Sequence, residues 1–141
     1  MILKVKKLNQ EALLPRYAHK GDAGLDLFSC ENCVLYPGET RMVCTGISIE
    51  FSEGYVALIW DKSGVAASGI KTMGGVIDHT YRGEYKVVML NTGIKLYEIK
   101  KGQKIAQLLI QPIISAEIQE VSELGESSRG EGAFGSTGLY A

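Results

Sequence analysis

Cysteine and proline are scarce, three of each in 141 residues. An odd cysteine count argues against a disulfide framework. Cys30-Glu31-Asn32-Cys33 has the spacing of zinc and redox pairs, but the remaining candidate ligands, Cys44, His19 and His79, are not paired to complete a four-ligand site. Ordinary reduced thiols are expected. A dominant charge is also missing: 15 Lys and Arg stand against 16 Asp and Glu, for a net charge of −1. A general nucleic-acid clamp would be basic, so that role is disfavoured, whereas a local anion site is not. No apolar run reaches the ~18 residues of a membrane span. Met1-Ile2-Leu3-Lys4 alternates too early for a signal peptide. The expectation is a soluble, intracellular chain that partners neither nucleic acid nor membrane.

What is present suits one globular domain. Hydrophobic residues make up 45% and charged residues 22%, an ordinary balance for a folded chain of this length. Seventeen glycines punctuate short apolar runs, and turn signals at that frequency predict an all-β sandwich or barrel. The alternation of residues 2–6, the β-branched residues of 42–51 and the apolar stretch 55–60 read as strands. Residues 86–90 and 105–110 read as strands buried on both faces, and 117–121 alternates again. Pro37-Gly38 and Asn91-Thr92-Gly93 read as turns. Only residues 63–68, with a serine start, small residues and a glycine stop, predict a short helix. Beyond Gly125 the composition becomes Gly/Ser-rich, which by itself predicts a flexible tail.

Four segments carry possible chemistry, each with a plainer alternative. Ala23-Gly24-Leu25-Asp26-Leu27 places one acid in an apolar strand; it is an edge aspartate bonding its own backbone, or an anion for a hydrated metal. Asp61-Lys62-Ser63-Gly64 is a helix cap with surface charge, or a phosphate site. Gly74 to Gly83 delivers Asp78 to a strand end with Tyr81 three residues on; it is a hairpin turn, or a general base for water. Arg129 to Gly138 offers glycine amides, hydroxyls and a forked cation, without the Gly-Lys-Ser/Thr of a Walker loop. Phe134 stands alone in this polar tail and could stack on a base. Together the four segments describe a nucleotide.

Their order and spacing closely resemble the trimeric dUTPase family. Five motifs run from Ala23 to Gly138: Ala23-Gly24-Leu25-Asp26-Leu27; Asp61-Lys62-Ser63-Gly64-Val65-Ala66; Gly75-Val76-Ile77-Asp78 through Tyr81-Arg82-Gly83; Lys101-Gly102-Gln103-Lys104-Ile105-Ala106-Gln107-Leu108; and Arg129-Gly130 through Gly138. The third and fifth are highly specific. The resemblance implies an all-β jelly-roll (β-clip barrel) subunit with one short helix, in a homotrimer with sites at subunit boundaries. Residues 1–124 would form the domain, and 125–141 an arm that closes over an active site.

The implied reaction is hydrolysis of dUTP to dUMP and pyrophosphate, which limits uracil in DNA and supplies dUMP for dTMP synthesis. A cytoplasmic location is implied, with the nucleus or an infected cell left open. Asp78 would activate the water for in-line attack at the α-phosphorus, and Mg²⁺ would bridge the phosphates with Asp26 reaching it through water. Lys62, Ser63, Gly64 and Gln107 would hold the phosphates. Arg129, with the backbone around Gly135, Ser136 and Thr137, would grip the γ-phosphate. The hairpin beginning at Gly75 would read uracil, Tyr81 would pack under the deoxyribose, and Phe134 would cap the base. Lys62 stands where most members carry Arg, losing the bidentate fork. Lys104 replaces another Arg, with less consequence expected. Thr80 removes a common carboxylate, His79 adds an imidazole, and Ala133 replaces a glycine. The related dCTP deaminases would place a glutamate general base at Val88, which cannot move a proton.

Overall fold

The computed structural model describes residues 1–133, 136 and 138. Among them are eleven strands and one helical turn: β1 (Lys4–Lys7), β2 (Leu25–Phe28), β3 (Cys33–Leu35), β4 (Thr40–Val43), β5 (Ile47–Glu50), β6 (Tyr55–Asp61), α1 (Ser63–Ala66), β7 (Ile70–Met73), β8 (Val76–Asp78), β9 (Val87–Asn91), β10 (Tyr97–Ile99) and β11 (Lys104–Pro112). All pairs are antiparallel, in four sheets ordered β2-β11-β6-β8, β4-β9-β7, β1-β5 and β10-β3. This is the expected all-β fold with one short helix.

The sheets close on one core. Leu27, Leu108 and Ile59 come from the four-stranded sheet, Val43, Val87 and Met89 from the three-stranded one, and Ile49, Leu35 and Ile99 from the two pairs. Burying each such side chain stabilises the fold by about 1.5–3 kcal/mol. The pleat explains the selection: in β7, Ile70 and Thr72 are buried while Lys71 and Met73 face out.

Several expectations needed correction. Residues 42–51 form two strands, not one, because the chain turns a corner at Cys44-Thr45-Gly46. There the amides of Cys44 and Gly46 donate to the carboxylates of Glu31 and Glu84, both at 2.8 Å, instead of to a neighbouring strand. β9 is buried on one face only: Val87, Met89 and Asn91 point inward, and Val88 and Leu90 are half-buried. Residues 117–121 form no strand and are exposed, since their alternation meets no partner edge within the chain. The short strands β3, β7 and β10 carry too few residues for a periodic signal.

The helical turn begins at Ser63, as expected, and ends at Ala66, two residues short of the expected Ser68. Lys62 is the capping residue, with no side-chain cap bond, so the Ser63 hydroxyl is not used to start the helix. The glycine stop holds, with the Gly69 amide donating to Ala66 at 2.9 Å. The three cysteines are free, as expected. Burial, with Glu84 and Glu31 nearby, pushes the Cys44 thiol up to about 11.

Candidate active site

The β6–β8 edge builds a pocket. β8 lies on β6 with Ile77 opposite Ala57 and Asp78 opposite Val56. Gly75 leads into it with φ +96°, and a Cβ there would stand 2.9 Å from the Cβ of Ile59. Its carbonyl accepts the Ile59 amide at 2.8 Å, so this approach needs glycine on both conformational and steric grounds. The strand thus delivers Asp78, exposed, to a cavity of about 430 Å³ whose lining includes Ile59, Gly75, Asp78, Tyr81, Tyr85 and Val88. That volume lies in the range of small-ligand sites, and an apolar lining with few polar groups is their usual composition.

The turn after Asp78 is tied down locally. The Tyr81 amide donates to the Asp78 carbonyl at 3.1 Å. The Arg82 guanidinium donates to the carbonyls of His79 at 2.6 Å and Tyr81 at 3.0 Å. Tyr81 remains 46% exposed, its hydroxyl donating to the Glu84 carbonyl at 3.2 Å. Gly83 makes room for this ring, because a Cβ there would collide with the phenol. Behind it the Tyr85 ring lies at 6.1 Å, tilted by 37°.

A second cluster forms where β2, β11 and the end of β6 meet. Asp26 is 4% exposed in a strand buried along its length. Its Oδ1 accepts from the Lys62 ammonium at 2.7 Å, and the Lys104 ammonium lies 2.6 Å from Oδ2. The Lys104 contact lies outside hydrogen-bond geometry and acts as an ion pair. Burial alone would raise the Asp26 carboxyl, but the two lysines outweigh it and hold the acid below its ordinary value. One carboxylate between two cations leaves a net positive charge beside α1. Lys104 therefore has a larger role than its sequence position suggested.

Gln107 sits opposite Asp26 in the β11–β2 register, its amide donating to the Asp61 carbonyl at 2.8 Å. That leaves one amide hydrogen of Gln107 for another acceptor. The Asp61 carboxylate accepts from the amide and hydroxyl of Thr72, both at 2.6 Å, and pairs with Lys71. It fixes the strand end from which α1 departs. Ser63 and Gly64 are exposed, and a Cβ at Gly64 would meet nothing within 4 Å. The fold of the single chain does not require glycine there, whereas close approach of a ligand to the backbone would.

In the tail, the Arg129 guanidinium donates to the Gly132 carbonyl at 2.7 Å and to the Ser136 hydroxyl at 3.3 Å. Phe134, Gly135 and Thr137 lie outside the described residues. The anticipated residues thus fall into three groups: Gly75, Asp78 and Tyr81 in the pocket; Asp26, Lys62 and Gln107 beside Ser63 and Gly64; and Arg129 with Ser136. The pocket contains none of the second or third group. Sequence reasoning named Asp61 within its motif without foreseeing its bonds to Thr72, said nothing of Tyr85, and did not foresee that Lys104 would pair with Asp26. The motif spacing marks Lys104, but a bare aspartate-to-lysine pairing across two strands has no local signal.

The donors present do not make a resident metal cage. Among the described residues, no three His, Cys, Asp or Glu side chains group closely enough to hold an ion. Both oxygens of Asp26 face ammonium groups. This set fits a hydrated cation that arrives on a polyphosphate and meets Asp26 only through water.

Comparison with known proteins places the chain in a family. The dUTPase family model matches residues 10–138. The deoxyuridine 5'-triphosphate nucleotidohydrolase of Clostridioides difficile is 48% identical over 97% of this chain and 98% of its own length. That of Clostridium kluyveri is 50% identical over 98% and 99%. Among solved structures, a mutant Staphylococcus bacteriophage 80alpha dUTPase with dUpNHpp superposes with a TM-score of 0.93 at 34% identity, covering 98% of this chain and 99% of that one. A mutant dUTPase from phage phi11 of S. aureus, described as coordinating a structural Mg(II) ion, superposes at 0.84 with 31% identity, covering 89% and 100%. A family match over most of the chain, near-complete relatives and the same backbone course agree on one assignment: the chain belongs to the dUTPase family.

Proposed function

We propose that this protein is a dUTP diphosphatase, hydrolysing dUTP to dUMP and pyrophosphate. The carrying observation is Asp78, placed without a charged partner at the mouth of a nucleoside-sized pocket beside the Tyr81 ring. An exposed carboxylate at a strand end can orient a water and accept its proton as that water attacks the α-phosphorus in line. Tyr81 offers an apolar face to deoxyribose, and the backbone from Gly75 onward offers fixed donors and acceptors to uracil. Sites built on such hydrogen bonds reject mismatched analogues strongly.

Lys62, Lys104, Gln107, Ser63 and the Gly64 backbone bind and orient the triphosphate. Bound with that triphosphate, Mg²⁺ would supply charge neutralisation at the phosphate oxygens, with Asp26 holding its waters. Arg129, Gly135, Ser136 and Thr137 would grip the γ-phosphate and Phe134 would cover the base. In this reading residues 125–141 act as an arm on a domain of residues 1–124. Most of the catalysis is then positioning and preorganised charge. Val88, half-buried in the pocket lining, offers no proton transfer to a cytosine ring, so deamination is disfavoured.

A homotrimer completes this reading. The three groups of residues stand apart on one chain, as residues serving different sites would. Exposed Met42, Trp60, Val76, Ile114 and Ile118 suit burial against further copies. The product would feed dTMP synthesis while uracil is kept from DNA, in the cytoplasm. The test is pyrophosphate release from dUTP, dCTP, UTP and dTTP, with Mg²⁺ and with a chelator. Release from dUTP alone, abolished by chelation, is expected; release from none of the four would overturn the proposal.

A further inference from the structure

One polar group in the pocket has no role in the reading above. Tyr85 is 0% exposed, yet among the described residues its hydroxyl has no hydrogen-bond partner. Its backbone is held on both sides, the amide donating to Ile47 at 2.9 Å and the carbonyl accepting from the Thr45 hydroxyl at 2.5 Å. The side chain is therefore committed to this position. A phenylalanine would fill the same space without stranding a donor, and stranded buried donors carry a desolvation cost. Tyr85 also lines the cavity that holds Asp78 and Tyr81, and its ring sits beside Tyr81.

We propose that the Tyr85 hydroxyl is a positioning donor on the sugar side of the pocket, whose missing partner is the 3′-hydroxyl of the bound deoxyribose, directly or through one water. The proposal rests on the reading of Tyr81 as the sugar platform. In this proposal the Tyr81 ring, half-exposed and with its hydroxyl on a single 3.2 Å bond to a backbone carbonyl, turns aside as the sugar docks, so that the 3′-hydroxyl reaches the phenol beside it. Burial, partly offset by the neighbouring Arg82, pushes the Tyr85 phenol up to about 12. It is thus a neutral donor wherever the enzyme works.

The experiment compares wild type with Tyr85→Phe, which keeps the ring and removes one atom. Calorimetry reads the affinity of dUMP and of 2′,3′-dideoxyuridine monophosphate, and steady-state kinetics read KM and kcat for dUTP. The variant should bind dUMP about threefold to tenfold more weakly. Its KM for dUTP should rise alongside, with kcat within about twofold. The dideoxy ligand, lacking the 3′-hydroxyl, should bind both proteins equally. Unchanged dUMP affinity with a higher Tm would mean the hydroxyl is an idle core group and would overturn the proposal. Equal loss for both ligands would also overturn it, since the effect would then bypass the sugar. If wild type turns over dUTP while Tyr85→Phe is indistinguishable from it, only the tyrosine assignment fails. If wild type neither binds dUMP nor releases pyrophosphate, the proposed function fails and takes this inference with it.

Discussion

Asp26 and Asp78 are both strand aspartates, yet they occupy opposite environments. Asp26 is buried and gripped by two lysines, while Asp78 ends an edge strand in the open with no charged partner. The first cannot serve as a base, because its negative charge is already held by cations well placed to keep it. The second is free of such a grip among the described residues, which suits the role of base proposed for it. The same side chain becomes a structural anion or a candidate base according to what surrounds it.

The comparison breaks most sharply at Asp78. Asp78→Asn should lower kcat for dUTP by about 10²–10⁴-fold while leaving dUMP binding and Tm close to wild type. Retained turnover would remove the base from this residue. Asp26→Asn should act on stability first, since it leaves two lysines facing a neutral group. These lysines are 33% and 39% exposed, so water recovers part of the loss, and about 1–3 kcal/mol of destabilisation by urea titration is expected.

The acid limb of stability should report on Asp26. The Asp26 carboxyl is held below its ordinary value by Lys62 and Lys104 against the opposing effect of burial. Its contribution is present above the unfolded-state value near ~4 and is lost as pH falls through the lower folded value. Asp26→Asn should flatten Tm against pH in that acid window.

Glycine substitutions sharpen the contrast at smaller amplitude. Gly83→Ala should raise KM for dUTP about tenfold by displacing Tyr81, whose phenol occupies the space a Cβ needs. Gly64→Ala should leave Tm within about 0.5 kcal/mol of wild type, measured by denaturation, because nothing in the chain meets the added methyl. Its KM should rise nonetheless, and an unchanged KM would remove the Gly64 backbone from the phosphate path.

Much of the site was legible because its residues are close in sequence. Gly75, Asp78, Tyr81 and Gly83 fall within one short strand-and-turn segment, where strand, turn and glycine signals coincide, although the expected hairpin does not form because β8 pairs with β6 and β9 joins the other sheet. The ion pairs on Asp26 were not legible in the same way. They depend on β2 and β11 meeting side by side, and antiparallel register between distant segments has no local signature. The two-strand break at Cys44 to Gly46 was hidden for a related reason, since it depends on Glu31 and Glu84 reaching in from elsewhere. The alternation of residues 117–121 was read as a strand, but a strand exists only where another edge receives it. Tyr85 carried no signal of its own, because sequence does not reveal whether a phenol has found an acceptor.

The thiols described earlier have a practical consequence. Burial with neighbouring carboxylates raises Cys30 and Cys44, burial raises Cys33, and Cys44 stands at about 11. Alkylating dyes attack thiolates, so all three native cysteines should label slowly at neutral pH. A cysteine introduced at exposed Ser127 would then take a maleimide fluorophore selectively. The native chain thus offers a quiet background for following its own tail by fluorescence as nucleotide is added.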